Sequence, residues 1–239
     1  MPEAVTARRY VARVLCLACT APTPDRLCSR CARELRSPPD TLLPSGQLVI
    51  GAYTHEGAAR LLVHALKYRG LSVAAEGFAA ELAIRVPVST TALVPVPRAL
   101  SRSIRYGIDP AAVLARAVSR KTGITVIHAL GAPLWWRSHA GASRPKRLRI
   151  RFRQRLAVPR GAALVDDVVT TGTTAAAAAD ALGGLPALVL AATVASKIRS
   201  GESPSGGRVT GAPASGTNDR TDPRVPPPNG VFDAPGDGS

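Results

Sequence analysis

Residues 162–174, which read AALVDDVVTTGTT, decide the fold of this chain. The apolar run at residues 162–165 is typical of a buried central strand in a parallel sheet. Two adjacent carboxylates, Asp166 and Asp167, end the predicted strand, and an alanine-rich run at residues 175–182 predicts a helix. A strand, an acidic pair, a turn and a helix in this order predict a ligand at the carboxyl end of a parallel strand.

The turn between this strand and this helix consists of small, mostly hydroxyl-bearing residues. They are Thr170, Thr171, Gly172, Thr173 and Thr174. The backbone N–H groups of a helix N-terminus favour an anion such as phosphate, and the threonine hydroxyls add further donors. Gly172 has no Cβ, so we expect the backbone to approach a ligand closely there. Because two carboxylates would repel a phosphate, we expect them to face ribose hydroxyls or a metal held by pyrophosphate.

The string LVDDVVTTGTT at residues 164–174 resembles the signature of type I phosphoribosyltransferases, which bind phosphoribosyl pyrophosphate. The resemblance implies that Asp166 and Asp167 hold the ribose 2′- and 3′-hydroxyls and that residues 170–174 hold the 5′-phosphate. One alternative is a capped strand–turn–helix with two solvated aspartates. Another is a Walker B strand, but the phosphate-binding GxxxxGK[ST] loop of that class occurs nowhere in the chain.

Composition favours an α/β protein with an aliphatic core and a cationic surface. Aromatic residues make up 4% of the 239 residues, and the formal net charge is +15. Residues 198–239 contain four arginines against five acidic residues, so the positive excess lies earlier in the chain. A cationic protein favours polyanionic ligands, either nucleic acid or pyrophosphate-bearing metabolites, although a general bias towards arginine would give the same charge.

The sequence predicts neither a membrane span nor an export signal. The longest apolar run, residues 185–195, is too short to cross a bilayer. Arg13 interrupts any apolar segment that follows Arg8 and Arg9. We therefore expect a cytoplasmic protein without membrane insertion.

All four cysteines lie in two CxxC pairs near the amino terminus. They are Cys16, Cys19, Cys28 and Cys31. This spacing predicts a tetrahedral thiolate site for a structural Zn²⁺ ion. Disulfides, which a reducing compartment disfavours, and an iron–sulfur cluster are the alternatives. Because so short a segment buries little apolar surface, the metal would supply its folding free energy.

A basic helix end follows the predicted cysteine site. Residues 58–68 predict a helix that ends in the string LKYRG, with Lys67 and Arg69 in its last turn and Gly70 as a stop signal. Cations at this position favourably complement the helix dipole. The string also resembles an element of the phosphoribosyltransferase-like ComF family, where it follows a cysteine-rich N-terminus. The resemblance implies that Lys67 and Arg69 contact pyrophosphate.

A second basic turn follows a short predicted strand. Residues 91–97 read TALVPVP, and Arg98 and Arg102 come next. The string is similar to the corresponding segment of ComF proteins, which implies that Arg98 and Arg102 receive the pyrophosphate end of the substrate. Arginines on a solvated loop are the alternative.

Residues 106–110 read YGIDP and depart from the family's RGFNQ-like string. Ile108 and Pro110 stand where the family has an aromatic residue and an amide. Asp109 followed by Pro110 predicts the N-cap and first position of a helix.

Arginine alternates with mainly apolar residues near the middle of the chain. The arginines are Arg147, Arg149, Arg151, Arg153 and Arg155. A period of two predicts an extended strand with the guanidinium groups on one face. The resemblance to type I phosphoribosyltransferases implies a mobile catalytic loop at residues 137–147. Trp135 and Trp136 beside the arginines also suit stacking on single-stranded nucleic acid, whereas core tryptophans and a solvated arginine face are the alternative.

These features predict three parts and a fold class. A four-cysteine zinc knuckle occupies residues 10–37, and an α/β, type I phosphoribosyltransferase-like domain with a parallel sheet flanked by helices occupies residues 46–197. Residues 198–239 are rich in Pro, Gly, Ser and Thr and cannot offset their ordering entropy, so we expect a disordered tail.

The leading functional hypothesis is a protein that binds phosphoribosyl pyrophosphate with Mg²⁺ and transfers the phosphoribosyl group to a nitrogenous base. No general base is identifiable from the sequence. Because the ComF family is linked to competence, the uptake of transforming DNA, the main alternative is a module that binds single-stranded DNA or competence proteins without turnover. A sensor that binds phosphoribosyl pyrophosphate without reaction is a third hypothesis. The acceptor base and the oligomeric state stay open.

Overall fold

The computed structural model describes residues 14–98, 107–132 and 151–196. These residues all belong to one compact unit, Met1–Ser203. Several sequence-based predictions lie outside the described residues: those for Arg102, Trp135, Trp136, the catalytic loop at residues 137–147, Arg147, Arg149 and the tail at residues 198–239.

The cysteine-containing segment forms a small hairpin and a short helix. Strands β1 (Val14–Leu15) and β2 (Pro22–Thr23) pair antiparallel, and helix α1 spans Ser29–Glu34. Cys16, Ala18 and Cys31 are buried in the same apolar cluster as the helices that follow. The segment therefore packs directly on the main core.

The other elements alternate largely between strands and helices. In chain order they are β3 (Thr41–Leu42), β4 (Leu48–Thr54), α2 (Gly57–Tyr68), α3 (Val73–Arg85), β5 (Ala92–Pro95), α4 (Pro110–Thr122), β6 (Thr125–Val126), β7 (Leu130–Gly131), β8 (Arg153–Gln154), β9 (Ala162–Val169), α5 (Thr173–Ala181) and β10 (Leu188–Val194). Among the described residues, no helix is both long and apolar enough to cross a membrane.

Six of these strands form the central sheet, in the order β3-β4-β10-β9-β5-β6. All neighbours pair parallel except β3 and β4. Strand β9 lies inside the sheet, with β10 on one side and β5 on the other, as its apolar sequence predicts. The predicted α/β class with a parallel sheet flanked by helices is confirmed.

Helices cover both faces of the sheet because successive side chains of each strand point to opposite faces. Leu93 of β5 and Val165 of β9 join the cluster formed with α2, α3 and α4. Val94 and Leu164, their neighbours in sequence, join the cluster formed with α5. The connections that leave β5 and β9 therefore run on opposite faces. Ligands of open α/β sheets bind at such a switch point, outside the carboxyl ends of the strands.

Strand β9 is longer than the sequence predicts. The prediction that Asp166 and Asp167 end the strand is wrong, because β9 continues through both residues to Val169. Residues 163–169 of β9 are in register with β10. Because β10 offers hydrogen-bonding groups to the backbone of β9, the strand can continue through residues whose side chains disfavour strands. The acidic pair is thus held on a rigid central strand.

Candidate functional site

A cleft with a volume of about 180 Å³ opens at the carboxyl ends of β5 and β9. Its lining comes from the last turn of α2, the loop after β5, the start of α4, strand β9 and the start of α5. The polar side chains that line it include Lys67, Arg98, Asp109, Asp166, Asp167 and Thr174. The predicted acidic pair therefore lies in a cleft at the predicted edge of the sheet.

Asp166 and Asp167 have different surroundings. Asp166 is 8% exposed, and its Oδ1 atom accepts a hydrogen bond from the backbone N–H of Asp167 at 2.8 Å. Burial, followed by the adjacent carboxylate of Asp167, raises the pKa of Asp166 well above its usual value. Asp167 is partly exposed and has a cationic partner. The cleft thus contains one carboxyl group paired with a cation and one whose burial opposes its ionisation.

The cationic partner of Asp167 is Lys67. The Nζ atom of Lys67 lies 2.9 Å from Oδ2 of Asp167, and both side chains are mostly buried. Lys67 occupies the last turn of α2, where a cation complements the helix dipole, so its position serves both the helix and the cleft. Arg69, the second predicted cation of this turn, is exposed and is not among the residues that line the cleft.

Arg98 connects the end of α2 to the loop after β5. One guanidinium nitrogen donates to the backbone oxygen of Lys67 at 3.3 Å, and the guanidinium carbon lies 5.7 Å from the centre of the Tyr68 ring. The backbone N–H of Arg98 donates to Oδ2 of Asp109 at 3.4 Å. Arg98 therefore lines the cleft and connects two of its walls, whereas its predicted contact with pyrophosphate stays a prediction.

The threonine- and glycine-rich turn encloses a hollow of about 20 Å³ beside the cleft. Its lining is Asp166 and residues 168–175. The first turn of α5 belongs to this lining, and the N–H groups of a first turn have no acceptor within their own helix. The hydroxyls of Thr171 and Thr173 are 2.9 Å apart at the exposed rim. Such N–H groups and hydroxyls are donors that suit an anion.

Gly172 has a structural role in addition to the close approach to a ligand that the sequence predicts. It adopts φ = +76° at the N-cap of α5, a backbone conformation that residues other than glycine rarely adopt. A Cβ atom at this position would lie 2.7 Å from the Cδ1 atom of Leu43. Leu43 thus fills the space that a side chain at position 172 would occupy, and this packing helps to set the conformation of the turn.

Asp109 is a cleft residue whose role the sequence indicated only in part. Its Oδ1 atom accepts from the backbone N–H of Ala112 at 3.3 Å, which confirms the predicted N-cap of α4. The same carboxylate lines the cleft. Burial raises the pKa of Asp109, and the charge of Asp167 adds to the increase.

His55 is a second residue whose place was not anticipated. It follows β4 at the same edge of the sheet, and its Nδ1 atom lies 2.8 Å from the hydroxyl of the fully buried Thr193. That hydroxyl is 3.4 Å from the backbone oxygen of Asp167. Burial, and then the charges of Lys67 and Arg60, lower the pKa of His55. In the sequence, the position of His55 directly after a predicted strand could have indicated that it lies at this edge of the sheet.

The four cysteines form a compact group of thiols. The Sγ atoms of Cys16, Cys19, Cys28 and Cys31 all lie within 4.8 Å of one another, and none of them is in a disulfide. Tetrahedral Zn–S bonds of about 2.3 Å place ligand sulfurs roughly 3.8 Å apart, and the Sγ atoms of Cys19 and Cys28 are 3.7 Å apart. The residues therefore fit a zinc ion.

Backbone amides favour the thiolate form at one of these cysteines. Burial acts to raise the pKa of Cys16, but the backbone N–H groups of Cys28, Cys19 and Ala18 lower it to about 6. Burial and the neighbouring cysteines raise the pKa of Cys31 instead, so without a metal the group favours one thiolate at Cys16 and a protonated thiol at Cys31. A bound metal would have to displace the remaining protons, because metal ligation needs thiolates.

Helix α1 links the cysteine group to the helix that ends at the cleft. Oε2 of Glu34, the last residue of α1, accepts from the backbone N–H of Ala58 in the first turn of α2 at 3.1 Å. The N-cap residue of α2, Glu56, makes no side-chain cap of its own. The cysteine segment therefore supplies the cap of α2, whose other end contributes Lys67 to the cleft.

A scan against protein-family models finds no family that matches this chain, and a search of curated proteins finds no similar sequence. Because one fold carries many functions, an assignment depends on the chemistry of the site itself.

Proposed function

We propose that this chain is a cytoplasmic, ComF-like phosphoribosyltransferase that binds phosphoribosyl pyrophosphate with Mg²⁺ and transfers the phosphoribosyl group to a nitrogenous base. One observation carries the proposal. Asp166 and Asp167 line a cleft at the switch point of the sheet, beside a hollow formed by residues 168–175. The same residues form the string that resembles the signature of type I phosphoribosyltransferases.

The ribose ring is assigned to the acidic pair. A vicinal diol donates two hydrogen bonds, and two neighbouring carboxyl groups accept them. Asp166 and Asp167 are consecutive residues of β9 and both line the cleft, which supports this assignment. A ligand hydroxyl that donates to Asp166 also favours its charged form, which offsets part of the cost of burying it.

The 5′-phosphate is assigned to the hollow beside α5. The partial positive charge at the N-terminus of a helix stabilises a phosphate, and the hydroxyls of Thr171 and Thr173 stand at the rim. The turn connects directly to the acidic pair, so one continuous stretch contacts both the sugar and its phosphate.

The pyrophosphate is assigned to the cationic side of the cleft. Lys67 and Arg98 line this side. In the described part of the chain, the cysteines form the sole group of three or more side chains that could hold a metal ion. Mg²⁺ would therefore be bound mainly through pyrophosphate oxygens and water, with the acidic pair as a secondary contact.

The reaction breaks the bond between C1 of the ribose and the pyrophosphate oxygen. When bound, Mg²⁺ neutralises charge on the leaving group. The carboxylate of Asp167 stabilises the positive charge that develops on the ribose ring. Asp166 adds to this stabilisation when it is ionised. The four cysteines would hold a structural Zn²⁺ without an open coordination position.

Calorimetric titration with phosphoribosyl pyrophosphate and Mg²⁺ tests the proposal. The wild-type chain should bind the ligand, and the double variant Asp166→Asn/Asp167→Asn should bind it at least tenfold more weakly. Asp180→Asn, an exposed change on α5, is the matched control and should leave the affinity unchanged. Equal affinity of the double variant and the wild type would refute the assignment of the site.

One observation favours a second candidate, the binding of single-stranded DNA. Arg151, Arg153 and Arg155 are exposed, but so are Gln154 and Leu156, and β8 spans only Arg153–Gln154, so the predicted strand with arginines on one face is not seen in the described residues. The charges of the three exposed arginines are available to a phosphate backbone, whose binding weakens steeply with salt. A gel-shift titration with oligonucleotides at increasing salt tests this candidate, and a lack of binding at moderate salt would eliminate it.

A further inference from the structure

The geometry points to Asp109 as the proton acceptor for the attacking nitrogen in the phosphoribosyl transfer. This inference rests on the proposed function and adds to it the general base that the sequence did not identify. It also concerns this chain in particular, because Asp109 lies in the YGIDP string that departs from the RGFNQ-like string of ComF proteins.

Asp109 is held rigidly inside the cleft. Its Oδ1 accepts from the N–H of Ala112 and its Oδ2 accepts from the N–H of Arg98. Each carboxylate oxygen has two lone pairs, so both oxygens keep capacity for a ligand N–H. A base fixed by two backbone contacts loses little additional entropy when the substrate binds.

Capping of α4 does not explain why this residue is an aspartate. Asn and Ser cap helices about as well as Asp does. A negative charge here lies close enough to Asp167 for the two carboxylates to repel each other. The chain therefore has a carboxylate in the cleft at an electrostatic cost that capping does not require. Proton transfer is a function that requires the carboxylate.

The charged and titratable groups around Asp109 come from three elements. Asp166 and Asp167 line the cleft from β9, Lys67 and Tyr68 from α2, and Arg98 from the loop after β5. Burial is the main cause that raises the pKa of Asp109 above that of an ordinary aspartate; the backbone N–H groups of Ala112 and Arg98 act to lower it, and the charge of Asp167 adds to the increase. A base with such a pKa accepts a proton more effectively at neutral pH.

The proposed step balances without an additional reactant. The lone pair of the acceptor nitrogen forms a bond to C1 of the ribose, and the C1–O bond to pyrophosphate breaks with its electron pair on the leaving oxygen. The proton of the attacking N–H passes to the carboxylate of Asp109. The products are the base carrying an N-linked 5-phosphoribosyl group, pyrophosphate and protonated Asp109, which then releases the proton to solvent.

The test compares Asp109→Asn and Asp109→Ser with the wild type. Both variants keep a capping side chain, so the melting temperature and the affinity for phosphoribosyl pyrophosphate should change little. Pyrophosphate release, measured over a panel of purine, pyrimidine and simple amine acceptors, should decrease by about 10²- to 10⁴-fold in kcat/KM. The wild-type rate should rise with pH through the pKa of Asp109, and the variants should lack this acidic limb.

Each outcome of this test decides the inference. Turnover within threefold of the wild type in Asp109→Asn, with the same pH profile, would overturn it and leave the proposed function intact. Binding of phosphoribosyl pyrophosphate without turnover on any acceptor would also overturn it. No binding by the wild type would instead refute the proposed function itself.

Discussion

The ammonium group of Lys67 and the carboxylate of Asp167 form an ion pair of 2.9 Å across the cleft. Lys67 comes from the predicted pyrophosphate side and Asp167 from the predicted ribose side. In the proposed function the ligand separates this pair, because Asp167 exchanges the ammonium for a ribose hydroxyl and Lys67 exchanges the carboxylate for pyrophosphate. The pair thus holds both side chains in position before the ligand binds.

Lys67→Met tests the role of this ion pair. The change leaves the mostly buried Asp167 without its partner, so we expect a loss of about 1–2 kcal/mol in unfolding free energy. Affinity for phosphoribosyl pyrophosphate should decrease at least tenfold because a pyrophosphate contact is lost. Arg69→Met, an exposed change two residues later, is the control and should keep both quantities near their wild-type values. The same affinity in both variants would contradict the role of Lys67.

Asp166→Asn should make the protein more stable and less able to bind its ligand. The pKa of Asp166 is raised in the folded state, so its contribution to stability is present below the unfolded-state pKa of about 3.8 and is lost as the pH increases towards the folded-state value. Thermal denaturation between about pH 4 and pH 8 should show that Asp166→Asn gains stability relative to the wild type as the pH rises. We expect a melting temperature at least about 2 °C higher than that of the wild type at neutral pH. If the difference in melting temperature between the variant and the wild type stays constant over this range, burial does not oppose the ionisation of Asp166.

Gly172→Ala should destabilise the chain more than Gly183→Ala. Both glycines have positive φ angles, +76° and +70°, so alanine is strained at either position. A Cβ atom at position 172 also collides with Leu43, whereas one at position 183 meets no atom within 4 Å. We expect a cost of about 1 kcal/mol for Gly183→Ala and 2–3 kcal/mol for Gly172→Ala in chemical denaturation. Equal losses of unfolding free energy in the two variants would show that contact with Leu43 does not constrain residue 172.

Metal removal should affect both stability and the cleft. Metal analysis of the purified chain should find about one zinc per chain, because four thiolates complete one tetrahedral site. A chelator should lower the melting temperature by several degrees and weaken binding of phosphoribosyl pyrophosphate, since Glu34 of the cysteine-containing segment caps the helix that carries Lys67.

The matched control for metal removal is the variant with all four cysteines changed to serine. The chelator should have no effect on it. A wild-type chain that contains no zinc and does not respond to the chelator would contradict the metal assignment.

Much of the sheet could be predicted because its strands are short apolar runs with polar boundaries. The ranges predicted for one strand and one helix illustrate this. Residues 91–97 contain β5, and the helix predicted at residues 58–68 differs from α2 by one residue at its start. The fold class followed from the order of these elements, since strands that alternate with helices favour a parallel sheet.

Strand pairing and long-range contacts were beyond the reach of sequence patterns. Asp166 and Asp167 are poor strand formers, yet Asp166 and Val168 pair with β10 and the strand continues through Asp167. Lys67 and Asp167 are far apart in the chain, and their contact depends on the strand order. Asp109 could be recognised as a helix cap from local sequence alone, but its position in the cleft required the placement of α4 beside β9.

The structure of the chain with bound phosphoribosyl pyrophosphate and Mg²⁺ tests the central claim most directly. We predict the 5′-phosphate within hydrogen-bonding distance of the backbone N–H groups of residues 172–174 and the ribose hydroxyls on Asp166 and Asp167. A ligand bound elsewhere, or an empty cleft at saturating ligand, would contradict the assignment of this site.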